Sequence, residues 1–319
     1  MNLLKGSFEG DVLWKKLLFT IIFAFGIMAL GVALWYAAAF TYYQTTDIEK
    51  ITSIIDSGSI SVLKSLQFAQ SLFLFVIPPF LLAYLWSAKP INYLGLNKKF
   101  SLESLVLAIA IMIFVLPFIN LLVEINESIE LPAFLKNVEI WMREAENDAA
   151  ELTKKILQVN TFSGLMFNIL LVAILPAVGE ELFFRGVLQK IVEEKWGIHA
   201  GVWIAAIIFS AIHLQFYGFF ARLLLGLVLG YMYVWSGSLW LPIAAHFTNN
   251  FLAVIAFYLM HNKFTDVDMD AVGTMSSGSW VSGIVSLVFF VGLAVLLYRS
   301  TMGYTKCGIK NEKNNHNPQ

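Results

Sequence analysis

The sequence predicts an all-α, polytopic membrane protein with about eight transmembrane helices, on three observations. Of 319 residues, 58% are hydrophobic and only 13% charged, whereas a soluble domain carries roughly 25% charged residues. Mean hydropathy is +0.73. Uncharged runs also recur at the ~20-residue length that a helix needs to cross a hydrocarbon core. Together these exclude a soluble globular enzyme and a disordered chain. The net charge is −1, from 21 basic and 22 acidic residues, so the chain lacks the basic footprint of a nucleic-acid-binding protein. A single cysteine, Cys307, excludes a disulfide framework and a CxxC metal site.

The first span is predicted over 17–40. It follows Lys15 and Lys16 and is too long for the apolar core of a signal peptide. The second covers 65–88, with Pro78 and Pro79 as a predicted kink, and the third covers 104–123. An acidic segment follows over 124–160. In its second half Leu135, Val138, Trp141, Met142, Ala145, Ala149, Leu152 and Ile156 recur at helical spacing, which predicts an amphipathic helix near 135–157. Spans four and five are predicted over 161–179 and 197–221, with a helical pattern continuing through 180–194 and a turn near Trp196-Gly197-Ile198. The stretch 223–262 has no Asp, Glu, Lys or Arg. Ser236-Gly237-Ser238 and Pro242 divide it into spans six and seven. Span eight ends at Tyr298, and a polar tail is predicted over 299–319. This reads as one membrane domain. Residues 1–160 hold three spans and the amphipathic segment, 161–260 a four-span core, and 261–298 a loop and the last span.

Charge selects the orientation. With the N-terminus in the cytosol, the inner segments hold 13 of the 21 basic residues. The inner loop near 87–102 has three lysines and no acid. The positive-inside rule therefore puts both termini in the cytosol.

Ionisable groups at bilayer depth cost at least ~2.5–3.5 kcal/mol each on insertion scales and mark function by default. Four places qualify: Glu180-Glu181, Arg185, His213, and His246 with Asn250. Adjacent glutamates on a helix project about 100° apart. Arg185 stands four residues after Glu181, the spacing of an ion pair on one face, and Phe184 stands at that position after Glu180. The plain alternative is a structural ion pair at a helix end. The sharper reading leaves Glu180 free to act on water while Glu181 and Arg185 hold the site. His246 and Asn250 share a helix face, where interhelical hydrogen bonding is the plain alternative. Reflected through the turn at Gly197, Glu181 and His213 fall at similar depth. The same exercise leaves His246 roughly 13 Å from the depth of His213, unless an irregular turn around 215–218 closes the gap.

The motifs Glu180-Glu181-Leu-Phe-Phe-Arg185, Phe209-Ser-Ala-Ile-His213 and His246-Phe-Thr-Asn-Asn250 occur in this order, each in an apolar segment. Together they resemble the CPBP family, which groups type II CAAX prenyl proteases with bacterial relatives linked to bacteriocin processing and self-immunity. The resemblance covers about 161–259. It implies an eight-helix membrane endopeptidase whose site opens toward the cytosol, acting on membrane-associated peptide or protein substrates in the lipid bilayer. It implies Glu180 as general base on water, supported by Glu181 and Arg185. Phe209 belongs to the His213 motif, and His213 is placed near the water. His246 and Asn250 would face the carbonyl oxygen, and a polar cavity would open between the helices.

A catalytic zinc held by Glu180, His213 and His246 is the metal-dependent version of the same reading; a glutamate with an oxyanion site accounts better for Asn250. No His-Glu-x-x-His, Gly-x-Gly-Asp or Gly-x-Ser-Gly occurs, which argues against other intramembrane protease classes. A non-catalytic immunity or sensor-binding protein is the competing function. It predicts loss of Glu180 or His213, and both are present. A proton-coupled transporter predicts repeat symmetry, and the sequence has none.

Overall fold

The computed structural model describes residues 5–7, 10, 12–56 and 59–314. Among them there is no β-strand. Among the described residues six helices are long and apolar enough to cross a membrane: Leu13–Tyr43, Ile60–Trp86, Phe162–Ala211, Phe219–Ser236, Trp240–His261 and Trp280–Thr301. A seventh span results if the bent pair Leu102–Phe114 and Leu116–Glu127 counts as one. The all-α membrane architecture therefore stands, while the expected count of eight is not confirmed.

The difference lies in 162–211. Gly197, at φ 82° and ψ 171°, is non-helical inside that run, a conformation open to glycine because it lacks Cβ. The chain folds back there. In a straight helix Gln189 and Gly201 would stand about 18 Å apart. Instead a Cβ on Gly201 would lie 2.9 Å from the Gln189 carbonyl oxygen. This is the turn predicted between spans four and five. The second arm is shorter than predicted, because the helix stops at Ala211 and an irregular turn occupies 212–218. The hairpin tip is tied to the first helix by Lys16 Nζ on Glu194 Oε2 at 2.6 Å and by the Trp14 and Trp196 rings at 5.7 Å.

Prolines shape two other spans. A proline lacks the N–H for its i−4 carbonyl and its ring crowds that carbonyl. In both cases the helix widens to π geometry just upstream: Leu72–Val76 before Pro78-Pro79 and Ile169–Ile174 before Pro176. The two widened helices touch each other, since a Cβ on Gly179 would lie 2.9 Å from Phe75 Cβ. A third π stretch, Phe184–Gln189, carries Arg185. The break at Val115 bends its pair by 41°, one residue before the proline-led helix Leu116–Glu127.

The amphipathic helix forms over Lys136–Leu157. Of its predicted apolar stripe, Ile156 is buried while Val138, Trp141 and Leu152 are exposed. The last helix continues to Asn314, past Arg299, where the sequence predicts a polar tail; residues 315–319 lie outside the described residues.

Apolar residues cover the outside. Ile22 is 64% exposed and Val288 67% exposed, as suits helices whose solvent is lipid. The interior packs around Leu82, Leu94, Leu182 and Ile191 in one cluster and Ile111, Met112, Leu229 and Met232 in another. Between them runs a polar stripe.

Candidate active site

The stripe belongs to the first arm of the hairpin. That arm begins at Thr161, whose Oγ1 accepts the Gly164 N–H at 3.1 Å, an N-cap that satisfies one orphan donor. Along it Glu181, Arg185 and Gln189 succeed one another at four-residue intervals, all at most 1% exposed. They lie against the helix Phe219–Ser236, which presents Gly226 and Gly230, also four apart. Arg185 Nη2 donates to the Gly226 carbonyl at 3.0 Å and Gln189 Nε2 to the Gly230 carbonyl at 3.4 Å. Small residues let the backbones approach. A Cβ on Gly226 would meet Ala206 Cβ at 2.9 Å, and one on Gly230 would meet Val202 Cγ1 at 2.9 Å.

Arg185 Nη1 donates to Glu181 Oε1 at 2.6 Å, the pair expected from spacing. The same oxygen accepts from His246 Nδ1 at 2.8 Å. A carboxylate already paired with arginine has only lone pairs to offer, so the imidazole proton sits on Nδ1. This leaves His246 Nε2 to face Glu180, 3.9 Å from its Oε2. Phe209 fills the remaining side. Its ring lies 5.0 Å under the Arg185 guanidinium and 6.1 Å edge-on from the His246 ring. The cation is thus neutralised by Glu181 and covered by an aromatic face.

Glu180 makes no hydrogen bond to Arg185 or His246, whose Nε2 stands 3.9 Å away. The Glu180 side chain is 14% exposed and lines a cavity of about 640 Å³. His213 lines the same cavity, with apolar walls from Leu17, Ala24, Phe75 and Phe183. His213 Nδ1 is 2.7 Å from the Phe209 carbonyl. A carbonyl only accepts, so Nδ1 carries the proton and Nε2 keeps its lone pair. The cavity therefore holds a carboxylate and an imidazole acceptor in an otherwise apolar wall. The site is less polar than the sequence predicts.

Six of the seven expected residues thus come together: Glu180, Glu181, Arg185, Phe209, His213 and His246. Asn250 stands one turn beyond His246. Its Nδ2 donates to the Val172 carbonyl at 3.2 Å, within the π stretch Ile169–Ile174, and its Oδ1 accepts from Asn249 at 3.3 Å. The amide is engaged in joining two helices. The depth mismatch expected for His246 does not arise. Because the helix ends at Ala211, the turn 212–218 absorbs the residues that a longer helix would have spent in rise.

The zinc reading finds no support in the geometry. Among the described residues no three His, Cys, Asp or Glu side chains converge to hold a metal ion, and Glu180, His213 and His246 are no exception.

Gly226, Gly230 and Gln189 do not stand out among the sequence motifs above. The Gly-x-x-x-Gly spacing of Gly226-Leu-Val-Leu-Gly230 is the signal that finds them, since it marks close helix approach in membranes.

Residues 162–252 match the family described as Type II CAAX prenyl endopeptidase Rce1-like. Over 111 residues the chain is 33% identical to Uncharacterized protein YpbD of Bacillus subtilis (strain 168), covering 34% of this chain and 52% of that protein. The chain thus spans about half the length of that curated relative. No solved structure matches it. The segment that holds all seven expected site residues is similar to the Rce1-like type II CAAX prenyl endopeptidases, the CPBP resemblance that the three motifs carry.

Proposed function

We propose that this protein is an intramembrane endopeptidase of the cell membrane, with both termini in the cytosol, that hydrolyses peptide bonds of membrane-associated or CAAX-like substrates. The observation that carries the reading is the division between two neighbouring glutamates. Glu181 is fully buried and bonded to Arg185 and His246, while Glu180 faces a cavity that His213 shares.

In this mechanism Glu180 accepts a proton from water as the water oxygen adds to the scissile carbonyl carbon. The His213 Nε2 lone pair accepts the second water hydrogen bond and orients the nucleophile. Negative charge develops on the carbonyl oxygen, where a preorganised donor lowers the barrier. His246 serves as this donor in its imidazolium form, through Nε2–H, with Nδ1–H anchored on Glu181. Collapse of the tetrahedral intermediate breaks the C–N bond, and the proton held by Glu180 passes to the leaving nitrogen. Asn250 joins as a second donor when its amide exchanges the Val172 carbonyl for substrate oxygen.

The test is quantitative N-terminal peptide profiling of native host membranes, comparing wild type with Glu180→Gln at matched expression. New termini that vanish in the variant, and that persist when a chelator is added, support the reading and name the substrate. A deletion phenotype rescued by Glu180→Gln with unchanged termini would overturn it in favour of a non-catalytic immunity or sensor-binding partner.

A further inference from the structure

The amphipathic helix Lys136–Leu157 has no part in the chemistry above, yet it reaches the turn that carries His213. That turn, 212–218, separates the helix ending at Ala211 from the one starting at Phe219. Immediately after His213, Leu214 adopts φ 53°. A leucine disfavours this left-handed conformation, because its Cβ crowds the following carbonyl. The Leu214 side chain is 55% exposed, so its own packing does not hold it there. Strained conformations persist where the surroundings over-determine them, and the restraints here come from outside the turn.

Three of these restraints grip backbone atoms. Glu146 Oε2 accepts the Tyr217 N–H at 3.0 Å. Asn126 Nδ2 donates to the Phe216 carbonyl at 3.0 Å. Arg222 donates through Nη2 to the Gln215 carbonyl and through Nη1 to Gln215 Oε1, the latter at 3.0 Å. Rings complete the grip. Trp141 packs on Phe216 at 5.1 Å, and the Arg143 guanidinium covers the buried Tyr217 ring at 4.7 Å. Trp141, Arg143 and Glu146 all come from the amphipathic helix. Glu146 and Arg222 both make charge-assisted hydrogen bonds, the stronger class, and of the two Glu146 is the one that reaches the turn from the amphipathic helix.

We infer that Glu146 is a positioning residue that fixes the 212–218 turn and, through it, holds His213 beside Glu180. The inference rests on the proposed endopeptidase reading. The acidic amphipathic segment then acts as a strut outside the core that sets the geometry of a group inside it. Misplacing a reacting group by about 1 Å costs on the order of 100-fold in rate, so a partly released turn lowers turnover without abolishing the fold.

The experiment follows the rate at which Glu180-dependent termini appear in native membranes for Glu146→Ala, Glu146→Gln, His213→Ala and the Glu146→Ala/His213→Ala double variant. Glu146→Ala is expected to slow the reaction by about tenfold or more. Glu146→Gln, which keeps an acceptor oxygen, stays within about threefold of wild type. The double variant is no slower than His213→Ala alone, because two residues acting as one unit are non-additive. Hydrogen exchange at the Tyr217 amide, read by mass spectrometry on the purified chain, speeds up in Glu146→Ala and not in Glu146→Gln. An unchanged rate in Glu146→Ala, an additive loss in the double variant, or equal loss in Ala and Gln variants with slow Tyr217 exchange would each overturn the inference. If Glu180→Gln and His213→Ala are themselves fully active, the endopeptidase reading fails instead, and the two failures are told apart by those controls.

Discussion

Two places in this chain use the same local arrangement, a glutamate with an arginine four residues later, and they differ in almost everything else. Glu181 and Arg185 meet at 2.6 Å with both side chains at most 1% exposed. Glu139 and Arg143 meet at 3.2 Å, with the arginine 48% exposed and Lys136 sharing the same carboxylate oxygen at 3.2 Å. On the amphipathic helix the two cations keep water, and only the Glu139 carboxylate, 6% exposed, is covered. In the core protein groups replace water around Glu181 Oε1 and Arg185: Gly226, Phe209 and His246 add what the pair cannot supply itself, while Glu181 Oε2 is buried with no hydrogen-bond partner. Spacing creates the opportunity for an ion pair, and burial decides how much depends on it.

Breaking the buried pair should produce the largest effect. Arg185→Ala leaves Glu181 buried beside a histidine with no cation, and removing one member of a buried pair costs about 3–5 kcal/mol. Thermal unfolding in detergent should show a large fall in melting temperature, together with loss of Glu180-dependent cleavage. A variant as stable as wild type would show that the network contributes nothing to the fold.

Next in size is Gly226→Val. The glycine packs against Ala206 with no room for a Cβ, so a branched side chain must push the helices apart and draw the Gly226 carbonyl away from Arg185. Overpacking of this kind costs roughly 1–3 kcal/mol. The same melting measurement checks it, and Gly230→Val provides the parallel case one turn away. An unchanged melting temperature would mean that the helix pair repacks freely at this point.

The smallest effect belongs to Arg143→Ala. Arg143 is 48% exposed, an ion pair with a water-facing cation contributes little, and Lys136 remains on Glu139. The hydrogen bond from Lys136, and then that from Arg143, holds the Glu139 carboxyl below the usual carboxylate range. A carboxyl depressed in the folded state adds stability above its unfolded pKa and loses it as pH falls through the folded value. The part of the difference between Arg143→Ala and wild type that runs through Glu139 should therefore be small at neutral pH and disappear on acidification, leaving the contact with the Tyr217 ring. Melting curves across that acid range test the sign. A difference that grows with acid would contradict it.

Much of the site is legible in the chain itself. The i,i+4 relation of Glu181 to Arg185 separates the two glutamates by role of environment, and the structure keeps that separation. The reflection through Gly197 brings the Glu180–Glu181 region and His213 together because Gly197 does break the helix. What the sequence hides is where helices stop. Residues 208–214 read as continuous apolar helix, yet the hydrogen-bonded run ends at Ala211. Only Gln215 and Gly218 hint at the turn, and its hold comes from Asn126 and Glu146, far away in sequence. The π stretches are hidden for a similar reason. Prolines announce a disturbance, but the direction in which the backbone relaxes is set by the neighbouring helix. The role expected for Asn250 depended on a free amide, and tertiary contact with the Val172 carbonyl engages it.

The position of Arg185 within the same helix as Glu181 also matters for biosynthesis. The ribosome delivers the two in immediate succession, so the opposite charges meet before the rest of the bundle is made. His246 follows Arg185 by 61 residues, a delay of about 3–12 s at ordinary elongation rates. During that interval the nascent hairpin can enter the bilayer as a self-neutralised unit, without waiting for a partner helix to accept its charge. The late-arriving histidine then locks an arrangement that is already electrically quiet.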